Sequence, residues 1–130
     1  MSPRTRAWLS WAPAILWAVV IFALSAQPSL PSAGVSDKHA HMVTYGLLAG
    51  LCLMGLTGWR QRRIAGGPAL VAFVMAVLYG VSDEWHQSFV PGRTPDVADV
   101  VADALGAALA AGGAWAWAIL LAGRSTPRQS

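Results

Sequence analysis

An all-α, integral-membrane four-helix bundle is the fold class this sequence predicts, and three observations predict it. The chain is 55% hydrophobic and only 12% charged over 130 residues, with a mean hydropathy of +0.49. Its apolar stretches fall at 8–26, 38–57, 68–87 and 95–122, each near the about 20 residues that cross a hydrocarbon core. Basic and acidic residues occupy alternate polar connections between them. A soluble domain carries about 25% charge, and so short a chain cannot bury this much apolar surface within itself. Lipid is therefore the expected solvent, and residues 1–130 read as one transmembrane domain.

The first span follows Arg4 and Arg6. Two arginines before an apolar run ending Ala-Leu-Ser-Ala also fit a cleaved signal peptide. The run is long for one, and further apolar segments follow, so residues 1–26 are expected to remain as an uncleaved helix. Trp8, Trp11 and Trp17 fit an interfacial aromatic belt, although Trp17 falls deep. Residues 27–36 hold Pro28, Pro31 and Gly34 and read as a loop, with Ser36 as N-cap of the second span. That span carries the single cysteine, Cys52, between Leu51 and Leu53. A lone cysteine excludes an intramolecular disulfide and a cysteine-only metal site, and packing is its expected role. Arg60, Arg62 and Arg63 form a basic turn, and Pro68 suits the first turn of span three. Pro91, Gly92 and Pro95 mark a tight turn, with Thr94 as cap and Pro95 as first helical residue of span four. The tail 123–130 is polar and expected to fray.

Four spans place Arg4, Arg6, Arg60, Arg62, Arg63, Arg124 and Arg128 on one side. All six acids and all three histidines fall on the other, with Lys38 and Arg93. By the positive-inside rule the arginine-rich side is cytoplasmic, so both termini face the cytosol and the acidic connections face outward. The net charge of +3 and pI near 9.8 come from arginines scattered over segment ends, so no nucleic-acid partner is expected.

Five of the six acids lie between Tyr79 and Asp103. Charges so near a membrane are costly and ask for a reason. Asp37, His41 and Tyr45 share one helix face, as do Tyr79, Asp83 and Gln87. Asp96, Asp99 and Asp103 lie at i, i+3 and i+7, and Gly106, Ala110 and Gly113 continue that face, where small residues admit a neighbouring helix. The carboxylates should therefore point into the bundle. Lys38 and Arg93 are the cations placed to balance them, and Arg93, on a Pro-Gly turn, is positioned to fork onto a carboxylate or phosphate. The expected polar site is Lys38, His41, Tyr45, Asp83, Glu84, Gln87, Arg93 and Asp99.

This set carries a resemblance. Asp37-Lys38-x-x-His41, then Glu84-x-x-Gln87-x-Phe89-x-Pro91-Gly92-Arg93, then Asp99 and Gly106 together resemble the VanZ-like family, over roughly residues 8–121. The family is one of small polytopic bacterial membrane proteins, which implies a multi-pass protein of the bacterial plasma membrane. Its namesake is associated with low-level resistance to teicoplanin, a lipid-tailed glycopeptide. One departure is Asp103, where the family often has Asn four residues after the Asp99 position.

Several functions fit these residues. Lys38, His41, Tyr45, Glu84, Gln87, Arg93 and Asp99 can bind an envelope lipid headgroup or a lipid-tailed ligand, such as a lipid-linked precursor or lipoglycopeptide. Trp85 would then be an interface anchor or a ligand contact. An enzyme acting on a lipid-linked substrate would use His41, Asp83 or Glu84 as catalytic groups, but Ser82 and Ser88 lack a recognisable nucleophile motif. A proton-coupled transporter subunit could relay protons over Asp99 and Asp103, and would need homo-oligomerisation. A polar network that only fixes helix register is the plainest alternative. His39, His41, His86, Asp83, Glu84 and Asp96 are suitable metal ligands in type, but His39 and His41 point to different faces, so neither metal nor other cofactor is expected.

Single cysteines introduced at Arg62 and Arg93 in a Cys52→Ala background test the sidedness. An impermeant maleimide applied to intact cells is expected to label position 93 and not position 62. The reverse pattern would remove the basis for an outward site.

Overall fold

The structure, a computed structural model, describes residues 1–28 and 37–124. These residues form α1 (Pro3–Ser25), α2 (Asp37–Thr57), α3 (Gly66–Gln87) and α4 (Val97–Arg124), with a 3-10 turn at Gln61–Arg63 before α3. No strand occurs among the described residues. All four helices are long and apolar enough to cross a membrane. The proposed Ser36 cap and the end of the C-terminal tail lie outside the described residues.

Two helix starts differ from the sequence reading. The first begins at Pro3, not near Trp8, because Ser2 is a side-chain cap: its hydroxyl accepts from the Thr5 N–H at 3.1 Å, with Pro3 at the first helical position. The Ser-Pro pair was visible in the sequence and outweighs the polarity of Arg4 and Arg6. The fourth begins at Val97, not at Pro95. Asp96 takes the capping role expected of Thr94, its carboxylate accepting from the Ala98 N–H at 2.8 Å. An aspartate there has the added advantage of a negative charge at the positive end of the helix dipole.

The core is small-sided. Ala49, Leu53, Ala72, Ala76 and Ala107 are fully or almost fully buried, with Cys52 among them in the packing role anticipated for it. The most extensive packing joins α2 to α4. Lys38 meets Asp99, His41 meets Asp103, and Gly46 meets Gly106, so the two helices run parallel. At the crossing their backbones touch: a β-carbon on Gly46 would stand 3.0 Å from the Gly106 carbonyl oxygen, and one on Gly106 would overlap the Met42 carbonyl. Only glycine permits that approach. α3 completes the core against both helices, while α1 lies mainly against α2.

Aromatic donors stitch α1 to the rest. Trp17 donates its indole N–H to the Thr44 carbonyl at 3.0 Å, Trp59 to Ser10 at 3.2 Å, and the Tyr79 hydroxyl to Ala18 at 2.6 Å. Trp17 is thus half-buried between helices and not part of an interfacial belt, which explains its depth in the span. Trp8, by contrast, is 75% exposed, as a belt residue would be.

The α2–α4 crossing yields a paired test. Gly106→Ala is expected to destabilise the fold by about 1–3 kcal/mol, the usual cost of overpacking. Gly112→Ala, on the same helix with open space around it, should be neutral or stabilising by about 0.5–1 kcal/mol. Denaturant unfolding in detergent reads both, and equal effects would show that the crossing is not tight.

Candidate functional site

The close crossing decides what happens one to two turns further along both helices. With backbones touching at Gly106, the N-terminal turns of α2 and α4 stand within side-chain reach. Lys38 Nζ bonds Asp96 Oδ2 at 2.8 Å and also pairs with Asp99 Oδ1. Asp96 is exposed, and the Lys38 ammonium, aided by the Ala98 N–H, holds its carboxyl below the usual carboxylate range. One turn deeper, His41 Nδ1 lies 2.8 Å from Asp103 Oδ1, and His41 Nε2 lies 3.7 Å from Asp99 Oδ2. Asp103 is 1% exposed. The imidazole therefore sits between two carboxylates, held by the buried one and directed at the shallower one.

α3 supplies the third wall from its last two turns. Asp83 Oδ2 accepts from Gln87 Nε2 at 3.0 Å, so these two residues support each other along one helix face. Glu84 Oε2 accepts from the Asp96 N–H at 2.9 Å and thereby ties α3 to the start of α4. Gly80 stands opposite Asp103, where any β-carbon would strike the carboxylate. Asp83, Glu84, Gln87, Asp99 and Asp103 are all buried. Tyr45 is buried beneath His41, with their rings parallel and 6.1 Å apart. Its hydroxyl is buried without a hydrogen-bond partner among the described residues. Glu84 Oε1 and Asp103 Oδ2 are likewise buried without a hydrogen-bond partner among the described residues. Buried polar atoms without partners are uncommon and costly in folded proteins.

All eight residues of the expected site converge on one end of the bundle, but two roles change. Arg93 does not fork onto a carboxylate. It donates from Nε to the Gln27 carbonyl at 2.9 Å and from Nη2 to the Leu24 carbonyl at 3.3 Å. A guanidinium is well suited to carbonyls at and just past the C-terminal turn of α1, the partly negative end of the helix. Arg93 therefore fastens α1 to the α3–α4 turn. Asp103, outside the expected ligand set, proves to be the partner of His41. Its signal in the sequence is its place on the stripe of Asp96 and Asp99, a pattern that names no partner.

Of the other histidines, His86 sits against α1: it lies 3.2 Å from the Ser25 hydroxyl through Nδ1 and stacks on Phe22 with centroids 4.4 Å apart. His39 is exposed. Trp85 is also exposed and meets Phe89 edge-on, an arrangement that suits an anchor in the interface. Ligand atoms of Asp37, His41 and Asp99 come within 4.8 Å of one another across two helices, a grouping wide enough for a cation. The Lys38 ammonium already neutralises the Asp99 side of that group.

A cavity of about 100 Å³ opens beside the cluster, between α1 and the α2–α3 pair. Ile21 and Leu24 form its apolar side; His41, Tyr45, Asp83 and Gln87 form its polar side, and Asp37 and Arg93 also line it.

A family model described as VanZ/LLP1 matches residues 10–121. The chain belongs to the VanZ/LLP1 family. With four helices of spanning length, it is a multi-pass membrane protein of VanZ-like type. No curated protein and no solved structure matches the chain.

Proposed function

We propose that this VanZ/LLP1 protein resides in a bacterial plasma membrane with both termini cytoplasmic and binds the headgroup of a lipid-tailed envelope ligand at its outer face. The observation that carries this reading is the cavity whose polar wall of His41, Tyr45, Asp83 and Gln87 faces an apolar wall of Ile21 and Leu24. A lipid-tailed molecule has that same division. At about 100 Å³ the cavity takes one end group of that headgroup, and the rest of the headgroup lies outside it.

Charge refines the ligand. Both cations near the cavity are engaged, Lys38 by two carboxylates and Arg93 by two carbonyls. The groups left open are mostly acceptors. A hydroxyl- or amine-bearing end group complements them, while a bare phosphate would meet uncompensated carboxylates. Reduced susceptibility to a lipid-tailed glycopeptide follows if the protein sequesters such a ligand or alters its target in the outer leaflet.

A second reading rests on the His41–Asp103 pair at 2.8 Å. A carboxylate that orients one imidazole nitrogen and leaves the other directed at a second polar group is a general-base arrangement. The reaction would be acyl or phosphoryl transfer on a lipid-linked substrate, with Glu84 or Asp83 assisting.

Expression in a teicoplanin-susceptible bacterium tests the first reading and separates it from the second. The wild-type chain is expected to raise the inhibitory concentration several-fold for teicoplanin and not for a glycopeptide without a lipid tail. His41→Ala and Asp83→Asn should each abolish the rise, and mass analysis of lipid extracts should show no new headgroup. A new headgroup that disappears with His41→Ala would establish the enzymatic reading instead. Full protection by both variants would exclude the cluster from the phenotype.

A further inference from the structure

The opposite end of the bundle holds a larger cavity, of about 790 Å³, between the start of α1 and the turn after α2. Arg6, Arg60 and Arg63 line it, together with the apolar surfaces of Ala7, Trp11 and Leu56. Two hydrogen bonds hold its walls together. The Ser10 hydroxyl donates to the Gly55 carbonyl at 3.3 Å, and the Trp59 indole donates to the Ser10 carbonyl at 3.2 Å. Trp11 also packs directly on Gly55, where a β-carbon would meet its ring at 2.7 Å. The cavity is thus a built feature of the α1–α2 contact.

Its electrostatics are one-sided. All six carboxylates of the chain lie in the first two turns of α2 and α4, the last two turns of α3, or the turn before α4. None of them lines this cavity or forms an ion pair with its arginines among the described residues. Three guanidinium groups around one opening, without an acid to balance them, repel one another until an anion enters. The apolar lining of Trp11 and Leu56 adjoins the lipid-facing surface, so the complementary anion carries an acyl chain. Guanidinium groups bind phosphate oxygens in pairs, which a lysine cluster does less well.

We infer that this arginine-lined cavity is a binding site for the phosphate headgroup of an anionic phospholipid from the adjacent leaflet. It is separate from the acidic cluster by the length of the helices, and it stands whether or not that cluster binds a ligand. Its occupant holds α1 to the α2–α3 connection from the membrane side, beside the bonds from Ser10 and Trp59.

Native mass spectrometry of the full-length protein, released from nanodiscs of equal phosphatidylcholine and phosphatidylglycerol, tests the site. The wild-type protein is expected to retain phosphatidylglycerol in preference to phosphatidylcholine. Arg6→Gln, Arg60→Gln and Arg63→Gln together should lower that retention roughly a hundredfold, from the usual contribution of each basic residue at an anionic surface. Arg4→Gln, Arg62→Gln and Arg124→Gln together remove the same charge away from the cavity and should leave retention within a few-fold of wild type. Leu56→Trp, which fills the opening with every arginine intact, should also reduce it. Equal retention of the two lipids by the wild type, or equal loss in both arginine variants, would overturn the site. So would unchanged retention in Leu56→Trp.

Discussion

A carboxylate on an apolar helix must be turned inward and paired, because hydrocarbon offers it neither water nor counterion. This chain places its six acids near helix ends and meets the constraint through one contact, the parallel packing of α2 on α4. The Gly46–Gly106 crossing brings two backbones together, and that approach lets Lys38 reach Asp99 and His41 reach Asp103. Glu84 then ties α3 to the start of α4. Remove the crossing and the buried Asp99 and Asp103 lose Lys38 and His41, each at a cost comparable to a large share of a domain's net stability.

The two ends of the bundle are built on opposite principles. One gathers acids, an imidazole and hydrogen-bond acceptors around a small cavity, and spends both of its cations on internal pairing. The other leaves arginines unbalanced around a larger opening. The first arrangement favours donors such as hydroxyl or amine groups, and the second favours phosphate. A single short chain thus presents different chemistry to the two leaflets. This division follows from the segregation of charge along the sequence, arginines at one end of the spans and acids at the other.

Much of this was legible in the chain. Spans appear as uncharged stretches of membrane length, and the i, i+3, i+7 spacing of Asp96, Asp99 and Asp103 puts them on one face, which Gly106 continues and which a neighbouring helix can approach. Local pattern could name the stripe but not the partner. That α2 and α4 run side by side in the same direction is a tertiary fact, and it alone pairs His41 with Asp103. The partners of Arg93 are hidden from the sequence for a related reason. Its nearest acids in sequence suggested an ion pair, but the carbonyls at the end of α1, some seventy residues away, lie closer in space. The starts of α1 and α4 differ from the sequence pattern on smaller grounds, since the Ser2 and Asp96 caps outweigh the polarity of Arg4 and Arg6 and the Thr94-Pro95 pair.

The most direct measurement is a double-mutant cycle between His41→Ala and Asp103→Ala, read as unfolding free energy in lipid bicelles. A buried pair joining α2 to α4 predicts a coupling energy of about 1 kcal/mol or more. Additivity within about 0.3 kcal/mol would mean that the two residues do not meet, and the cluster described here would not exist in the membrane.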